Sequence, residues 1–332
     1  MAGEDPLRAS PAYEELAPLA GQLADQWCGL LPGFHRLAFE GGRVLLTLCV
    51  GDVQPMLRAQ RHFEADSIFL DGFSPTRNPE MWSLDVLKGV TRFARVGSRL
   101  ATWTVARPLR DGLQQLGWQA RKLPGLPPKR DCLGAVFEPA WTLRRPPAPV
   151  EQVAAPGRCI VIGAGLAGAA VAASLARRGW QLTVLDAAPD SAAGASALPV
   201  GLMAPHVSPD DALLSRLSRA GIRATWWQLA HLLTAGLDWS ATGVLERRAT
   251  SKARLPDGWS AEGPNETWHA SAGQLQAAGL DEAAPALWHA RAAWVRPSRL
   301  VAAWLAHPAI RLVSGALVAR LENEQGLWVA FS

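Results

Sequence analysis

The run Gly163-Ala164-Gly165-Leu166-Ala167-Gly168 spaces three glycines as GxGxxG, directly after the apolar stretch 158–162 and at the opening of a helically spaced segment. Each glycine meets a separate steric demand of a bound pyrophosphate. Gly163 permits a tight turn, Gly165 lets the phosphates approach the backbone, and Gly168 lets helix and strand pack closely. The helix start supplies N–H groups and the positive end of a dipole. A second apolar stretch, 181–185, delivers Asp186, whose carboxylate accepts hydrogen bonds from ribose hydroxyls and repels a 2′-phosphate. That chemistry selects a dinucleotide such as FAD or NAD over NADP. A glycine-rich turn without a ligand is the competing reading, and the series of strand, glycines, helix and acid argues against it.

A second group of polar residues follows apolar runs in the first half. Asp71 ends the run 67–70, and Asp52 follows the run 44–50. An acid at the C-terminal end of a buried strand stands where open α/β sheets place ligands, and a carboxylate there can take a proton from an attacking nucleophile. Capping the following turn is the alternative for Asp71, and a plain turn is the alternative for Asp52. Lys129 and Arg130 lie in the basic stretch 121–145, for which a solvated face is the plainer reading.

The elements that must hold these groups alternate along the chain. Strands are expected at 44–50, 67–70, 99–104 and 132–137, with helices near 80–95 and 107–115, which together predict a parallel-type sheet. The second half reads as strand 158–162, helix 166–178, strand 181–185, a long helix from about 209 to 236, a strand near 242–248, a helix near 298–306 and short strands between 310 and 331. Prolines at 146, 147, 149 and 156 mark an interdomain linker over 141–157.

Composition bounds the rest. The chain has 332 residues, 49% apolar and 19% charged, with a net charge of +4, which excludes a disordered or disulfide-stapled scaffold. Lysine occurs only at 88, 122, 129 and 252, so arginine dominates the basic residues and suits a polyanionic partner. No apolar stretch is long enough for a membrane helix, and the first 30 residues lack a secretion signal, so a cytoplasmic protein is expected. Cys28, Cys49, Cys132 and Cys159 form no CxxC pair and are expected as buried thiols, with no metal site. No P-loop, HExxH or GxSxG motif is present. Asn265-Glu266-Thr267 reads as a polar loop, His206 as a hydrogen-bonded loop residue more readily than a substrate-facing one, and Trp226-Trp227 as core more readily than as a platform for bases.

Two resemblances sharpen these expectations. Gly194-Ala195-Ser196, continuing to Gly201-Leu202, resembles the GASG-like segment of flavin oxidases of the glycine and D-amino-acid oxidase type, which favours FAD and implies a loop and helix start on the flavin side. The segment Asp66 to Trp82, with Phe69-Leu70-Asp71-Gly72-Phe73 and Asn78-Pro79-Glu80-Met81-Trp82, closely resembles the DxxFLDGFxPxxNPxMW signature of the bifunctional MnmC family. That family completes 5-methylaminomethyl-2-thiouridine at the tRNA wobble position.

The resemblance implies an α/β fold: a partial class I methyltransferase (Rossmann-like) domain over 1–140, then the linker 141–157, then a partial FAD-binding Rossmann domain over 158–332. It implies FAD-dependent oxidation and hydrolysis of the carboxymethylaminomethyl group, followed by methylation of the resulting amine from S-adenosylmethionine. Asp71 would be the base, Asn78-Pro79 would shape the amine pocket, Asp52 would contact S-adenosylmethionine, and Lys129 and Arg130 would contact tRNA. FAD would lie on Gly163, Ala164, Gly165, Leu166, Ala167, Gly168, Asp186, Ala195, Ser196, Gly201 and Leu202, with Val318 on the adenine side. The chain is expected to act as a monomer. No glycine-rich loop precedes residue 50, and Met1 to Pro6 would be the tail of the second strand, with Glu4 standing for the ribose-binding acid. The chain is therefore expected to be the middle of a longer enzyme, without methyl transfer and with weak FAD affinity. A small-molecule amine oxidase and a non-catalytic tRNA-binding remnant are the competing functions.

Overall fold

The structure is a computed structural model that describes residues 11–27, 31–125, 129–141, 155–248, 253–257, 259 and 266–331. Its contacts divide the chain into two compact units, one joining the residues up to Leu48 to those from Ala155 onward, the other running from Cys49 to Ala154. Most of the linker, like Glu4 and Cys28, lies outside the described residues.

The first unit opens with helix α1 (Ala17–Gln26) and the hairpin of β1 (Gly33–Phe39) with β2 (Val44–Val50), whose last two residues fall past the unit boundary. Gln26 binds β1 as a neighbouring strand would: its Nε2 donates to the Ala38 carbonyl and its Oε1 accepts from the Ala38 N–H, both at 2.9 Å. The hairpin turns at Gly41 and Gly42, with φ of 68° and 91°, a region that disfavours a side chain. Alternate β1 residues His35, Leu37 and Phe39 are buried. The sequence reading contained no strand over β1.

The second unit comprises α2 (Val53–Ala59), β3 (Ala65–Leu70), α3 (Leu84–Thr91), β4 (Ala94–Thr102), α4 (Arg107–Gln115), β5 (Trp118–Pro124) and β6 (Asp131–Phe137). The sheet order is β3-β4-β6-β5. Only β3 and β4 run parallel; β6 is antiparallel to both its neighbours, so the sheet is mixed rather than parallel. The helix expected over 80–95 is shorter. A 3-10 turn at Pro79–Trp82 precedes Ser83, whose Oγ accepts from the Val86 N–H and caps α3, and the chain is a strand again by Ala94. Leu87, Leu100, Leu113, Trp118, Leu133 and Phe137 form the core of this unit, with the Trp118 and Phe137 rings 5.1 Å apart. Trp118 Nε1 donates to Thr91 Oγ1 at 2.9 Å, which satisfies the indole where no water reaches it.

The first unit resumes with β7 (Arg158–Ile162), α5 (Leu166–Ala176), β8 (Gln181–Leu185), β9 (Gly201–Met203), α6 (Leu213–Leu232), β10 (Trp239–Ser240), β11 (Val244–Arg247), β12 (Thr267–His269), α7 (Ala272–Ala277), β13 (Ala286–His289), β14 (Ala293–Val295), α8 (Pro297–Leu305), β15 (Ile310–Val313), β16 (Arg320–Glu324) and β17 (Leu327–Phe331). Here the parallel sheet is real: β15 and β7 flank β8. Ala172 and Ala176 of α5 pack on Leu182 and Val184 of β8, small residues that bring helix and sheet close. Past the last turn of α5, Gly179 with φ of 89° donates to the Ala176 carbonyl and stops the helix. Two antiparallel sheets, β10-β14-β9 and β11-β13-β12, and the β16-β17 hairpin complete the unit. Leu229, Trp239, Val295, Val301 and Trp304 form its second core.

Three local expectations are corrected. The described cysteines are not buried: Cys49 is exposed and Cys132 and Cys159 are partly so. The segment 194–203 forms a 3-10 turn (Gly194–Ala197) followed by strand β9, not a helix start. Glu266 and Thr267 of the apparent polar loop are buried at 6% and 0% exposure, because Glu266 accepts from Arg223 Nε at 2.9 Å and Thr267 begins β12.

Candidate functional site

Two separate sites emerge, one in each unit. The first is built at the β7-α5 turn. Gly163 has φ of 100°, and a Cβ placed on it would meet nothing within 4 Å, which leaves open space at the turn. At Gly168 the opposite holds: a Cβ would lie 1.8 Å from the Gly163 carbonyl oxygen, so only glycine lets the first turn of α5 cross the strand end this closely. Gly165 is the N-cap of α5 with no side-chain cap of its own. Ser196 supplies one instead, its Oγ accepting from the Leu166 N–H at 3.1 Å. The first-turn N–H groups of Ala167 and Gly168 have no intrahelical acceptor and are available to an anion.

Asp186, just past the C-terminal end of β8, completes this cradle. One carboxylate oxygen accepts from the Ala164 N–H and the other from the Ala188 N–H at 2.8 Å. Each oxygen keeps a lone pair, so the acid is anchored on the glycine turn and can still accept from two ribose hydroxyls. These residues fit a dinucleotide.

The resembling segments behave less uniformly. Ser196 holds the start of α5, and Ala195 shares its 3-10 turn. Gly201 and Leu202 sit in β9, opposite Val295 and Trp294, and a Cβ on Gly201 would meet Pro297 Cγ at 3.1 Å, so close packing against α8 explains this glycine. Val318 lies ahead of β16 rather than in a strand, two residues after Ala316, whose N–H donates to the Asp186 carbonyl at 2.8 Å. His206 is an exposed loop residue, its Nδ1 3.0 Å from Ser215 Oγ.

The second site is a cavity of about 410 Å³ in the 49–154 unit that gathers Asp71, Trp82, Thr102, Lys129, Arg130 and Asp131 among its lining residues. Three stretches far apart in sequence meet there: the end of β3, the loop after β4 and the loop before β6. Asp71 Oδ1 accepts from the Gly72 N–H at 2.8 Å, while Trp82 Nε1 donates to the Phe73 carbonyl at 2.9 Å and pins the loop. A Cβ on Gly72 would lie 2.9 Å from Met81 Cε, the movable end of a flexible side chain that packs over this loop. Lys129 and Arg130 are exposed, and the Gly125 N–H donates to the Arg130 carbonyl at 2.9 Å. Sequence reasoning named Asp71 and the basic pair on separate grounds, and the fold places them around one cavity. Asn78 is not among its lining residues.

Asp52 is drawn elsewhere. It is the N-cap of α2, with Oδ1 accepting from the Gln54 N–H at 3.0 Å, and it does not line this cavity. Among the described residues no glycine-rich turn follows a strand in this unit. Nor do His, Cys, Asp and Glu side chains gather in a metal-holding group among the described residues.

Comparison with known proteins places these two sites in a family context. Residues 14–138 match the family model described as S-adenosyl-L-methionine-dependent methyltransferase. Among curated proteins, the chain is 53% identical over 98% of its length to the tRNA 5-methylaminomethyl-2-thiouridine biosynthesis bifunctional protein MnmC of Polaromonas naphthalenivorans, covering 52% of it. Proteins of the same name from Paracidovorax citrulli and Delftia acidovorans are 55% and 57% identical over 97% and 95% of the chain, which covers 52% and 50% of them. The chain thus spans about half the length of the relatives it matches. Residues 158–330, more than half of the chain and the part that carries the glycine cradle, match the model described as FAD dependent oxidoreductase, and the chain belongs to that family.

Proposed function

We propose that the chain acts in wobble-uridine modification of tRNA, with the dinucleotide cradle serving an FAD-dependent oxidation that removes the carboxymethyl group from 5-carboxymethylaminomethyl-(2-thio)uridine. The 49–154 unit holds the resulting 5-aminomethyl group for methylation. The observation that carries this reading is the cavity that brings Asp71 together with Lys129 and Arg130, on a chain that also bears the glycine cradle. The names of the relatives, all bifunctional proteins of tRNA 5-methylaminomethyl-2-thiouridine biosynthesis, support it.

FAD, when bound, would accept hydride from the carboxymethyl C–H beside the substrate nitrogen, and water would then split the C–N bond, releasing the two-carbon unit as an aldehyde and leaving the aminomethyl group. The chain's own residues position it: the N–H groups at the start of α5 hold the pyrophosphate and Asp186 the adjoining ribose. In the other unit, Asp71 Oδ1 is committed to the Gly72 N–H, which leaves Oδ2 to take a proton from the substrate ammonium so that its nitrogen lone pair is free. Lys129 and Arg130 on the cavity rim neutralise RNA phosphates without reading sequence.

The functional boundary lies in the linker 141–157, although contacts group the residues up to Leu48 with the C-terminal part. Among the described residues no helix is long and apolar enough to cross a membrane, and the proposed reaction is that of a cytoplasmic monomer. The test is nucleoside mass spectrometry of tRNA carrying 5-carboxymethylaminomethyl-2-thiouridine after incubation with the chain and FAD. Loss of the carboxymethyl group is expected. Unchanged tRNA with turnover of glycine or sarcosine would instead establish a small-molecule oxidase.

A further inference from the structure

The first unit contains a cavity of about 520 Å³, away from the glycine cradle, formed by the β1-β2 hairpin, the C-terminal end of α5 and one face of α6. That volume is typical of ligand sites, which span about 300–1,000 Å³. Its charge is one-sided. Arg36, Arg177, Arg178, Arg223 and Arg291 line it, against the single carboxylate of Asp25. Behind the wall, Glu266 is shared by Arg223 Nε at 2.9 Å and Arg291 Nε at 3.6 Å, so one carboxylate serves two guanidiniums. Arg223 also contacts the His35 ring.

Arg177 stands out within this set. Arg178 turns back onto the helix end, donating to the Ser174 carbonyl and Oγ at 2.6 Å, as expected of a cation at a helix C-terminus. Arg177 instead donates to the neutral Gln228 Oε1 at 3.3 Å, an acceptor already taken by Trp304 Nε1 at 2.6 Å, and it makes no ion pair among the described residues. Burial, with Arg178 beside it, pulls its pKa down, so the folded chain holds a guanidinium short of an anion. The hairpin turn passes close to its stem: a Cβ on Gly42 would lie 3.5 Å from Arg177 Cδ. Beside these cations is a half-buried indole: Trp227, its ring 4.5 Å from that of His231 and tilted by 31°.

We propose that this cavity binds one nucleotide of an RNA strand, with Arg177 and Arg178 on a phosphodiester and the base against Trp227. Guanidiniums grip phosphate oxygens in pairs, and an aromatic face accepts any base. Five arginines exceed the needs of one phosphate, which favours a strand over a free nucleotide. The inference rests on the tRNA reading above and goes beyond it by giving the first unit its own RNA contact, apart from Lys129 and Arg130.

The test is fluorescence anisotropy of a fluorescein-labelled tRNA with the full chain across a salt series. Arg177→Gln with Arg178→Gln is expected to weaken binding about tenfold at low salt and to flatten the log–log salt dependence by about 0.7, the loss of one phosphate contact on a single strand. Trp227→Ala is expected to weaken binding about tenfold with the salt slope unchanged, and Trp227→Phe to restore most of it. Should the glutamine pair lower the melting temperature, Arg177→Lys with Arg178→Lys keeps the charge and is expected to keep the slope. Wild-type affinity and slope in the glutamine pair would overturn the inference while leaving the tRNA reading intact. Complete displacement of tRNA by equimolar AMP would overturn it in favour of a free nucleotide. No retention of tRNA by the wild-type chain would overturn both readings.

Discussion

The glycine cradle and the Asp71 cavity both gather polar groups at the C-terminal ends of strands, and they do so in opposite ways. The cradle is contiguous: its glycines, helix start and acid lie between Ile162 and Ala188 and are joined by backbone bonds to Asp186. The cavity is composite, its walls coming from residues 70–74, 102–106 and 129–131 and depending on a mixed sheet to bring them together. A contiguous site stands or falls with one turn, whereas a composite site stands or falls with the core beneath it.

The sharpest way to break that comparison is to damage the core of the second unit. Trp118, 1% exposed and bonded to Thr91, is expected to cost about 3–5 kcal/mol when replaced by Ala, enough to unfold the 49–154 unit while flavin still binds the first. Two separated calorimetric transitions, only one of them shifted, would show it. Next is Gly168→Ala, which forces a methyl group onto the Gly163 carbonyl and is expected to cost about 1–3 kcal/mol and to abolish stoichiometric flavin absorbance after gel filtration. Retained flavin would mean that α5 can shift without losing the pyrophosphate.

Acid provides a graded probe of the first unit. His289 is 1% exposed, with Nδ1 2.9 Å from Thr267 Oγ1 and Nε2 3.1 Å from Glu246 Oε2. Burial outweighs Glu246 and holds its pKa below the ordinary 6.5. Glu246 lies below its ordinary 4.5, its own burial outweighed by bonds from Arg248 and His289 acting together. Both shifts mean that the unfolded chain binds more protons, so stability is lost as pH falls, first below 6.5 from the histidine and then below 4.5 from the glutamate. His35, also lowered by burial, adds in the same direction. His289→Gln is expected to flatten the upper limb of a plot of melting temperature against pH, and an unchanged limb would exclude this histidine. The smallest expected effect is that of Asp71→Asn. Exposed and, among the described residues, bonded to the next N–H alone, it should change the stability of its unit by less than about 0.5 kcal/mol while weakening retention of tRNA that carries the 5-aminomethyl group.

The same contrast explains what the sequence made legible. The GxGxxG turn, β7, α5, β8 and Asp186 could be read because every constraint lies within one βαβ unit. The pairing of Asp71 with Lys129 and Arg130 could not, since strand order and direction decide it, and β5, half polar as Trp-Gln-Ala-Arg-Lys-Leu-Pro, carries a weak strand signal. Asp52 satisfied its expected position after a strand yet became a helix cap, a role that the same residue type fills equally well. Glu266 escaped notice because its partners, Arg223 and Arg291, are distant in sequence and only tertiary packing reveals them.

The contact between His35 and Arg223 spans 188 residues and encloses the entire 49–154 unit in sequence. Closing a loop of that length costs about 4–5 kcal/mol of chain entropy. During synthesis, the enclosed unit can finish folding on its own local and mid-range pairings, while α1 and β1, already clasped by Gln26, wait for α6 to leave the ribosome. Assembly of the flavin half is therefore timed by the translation of everything between them.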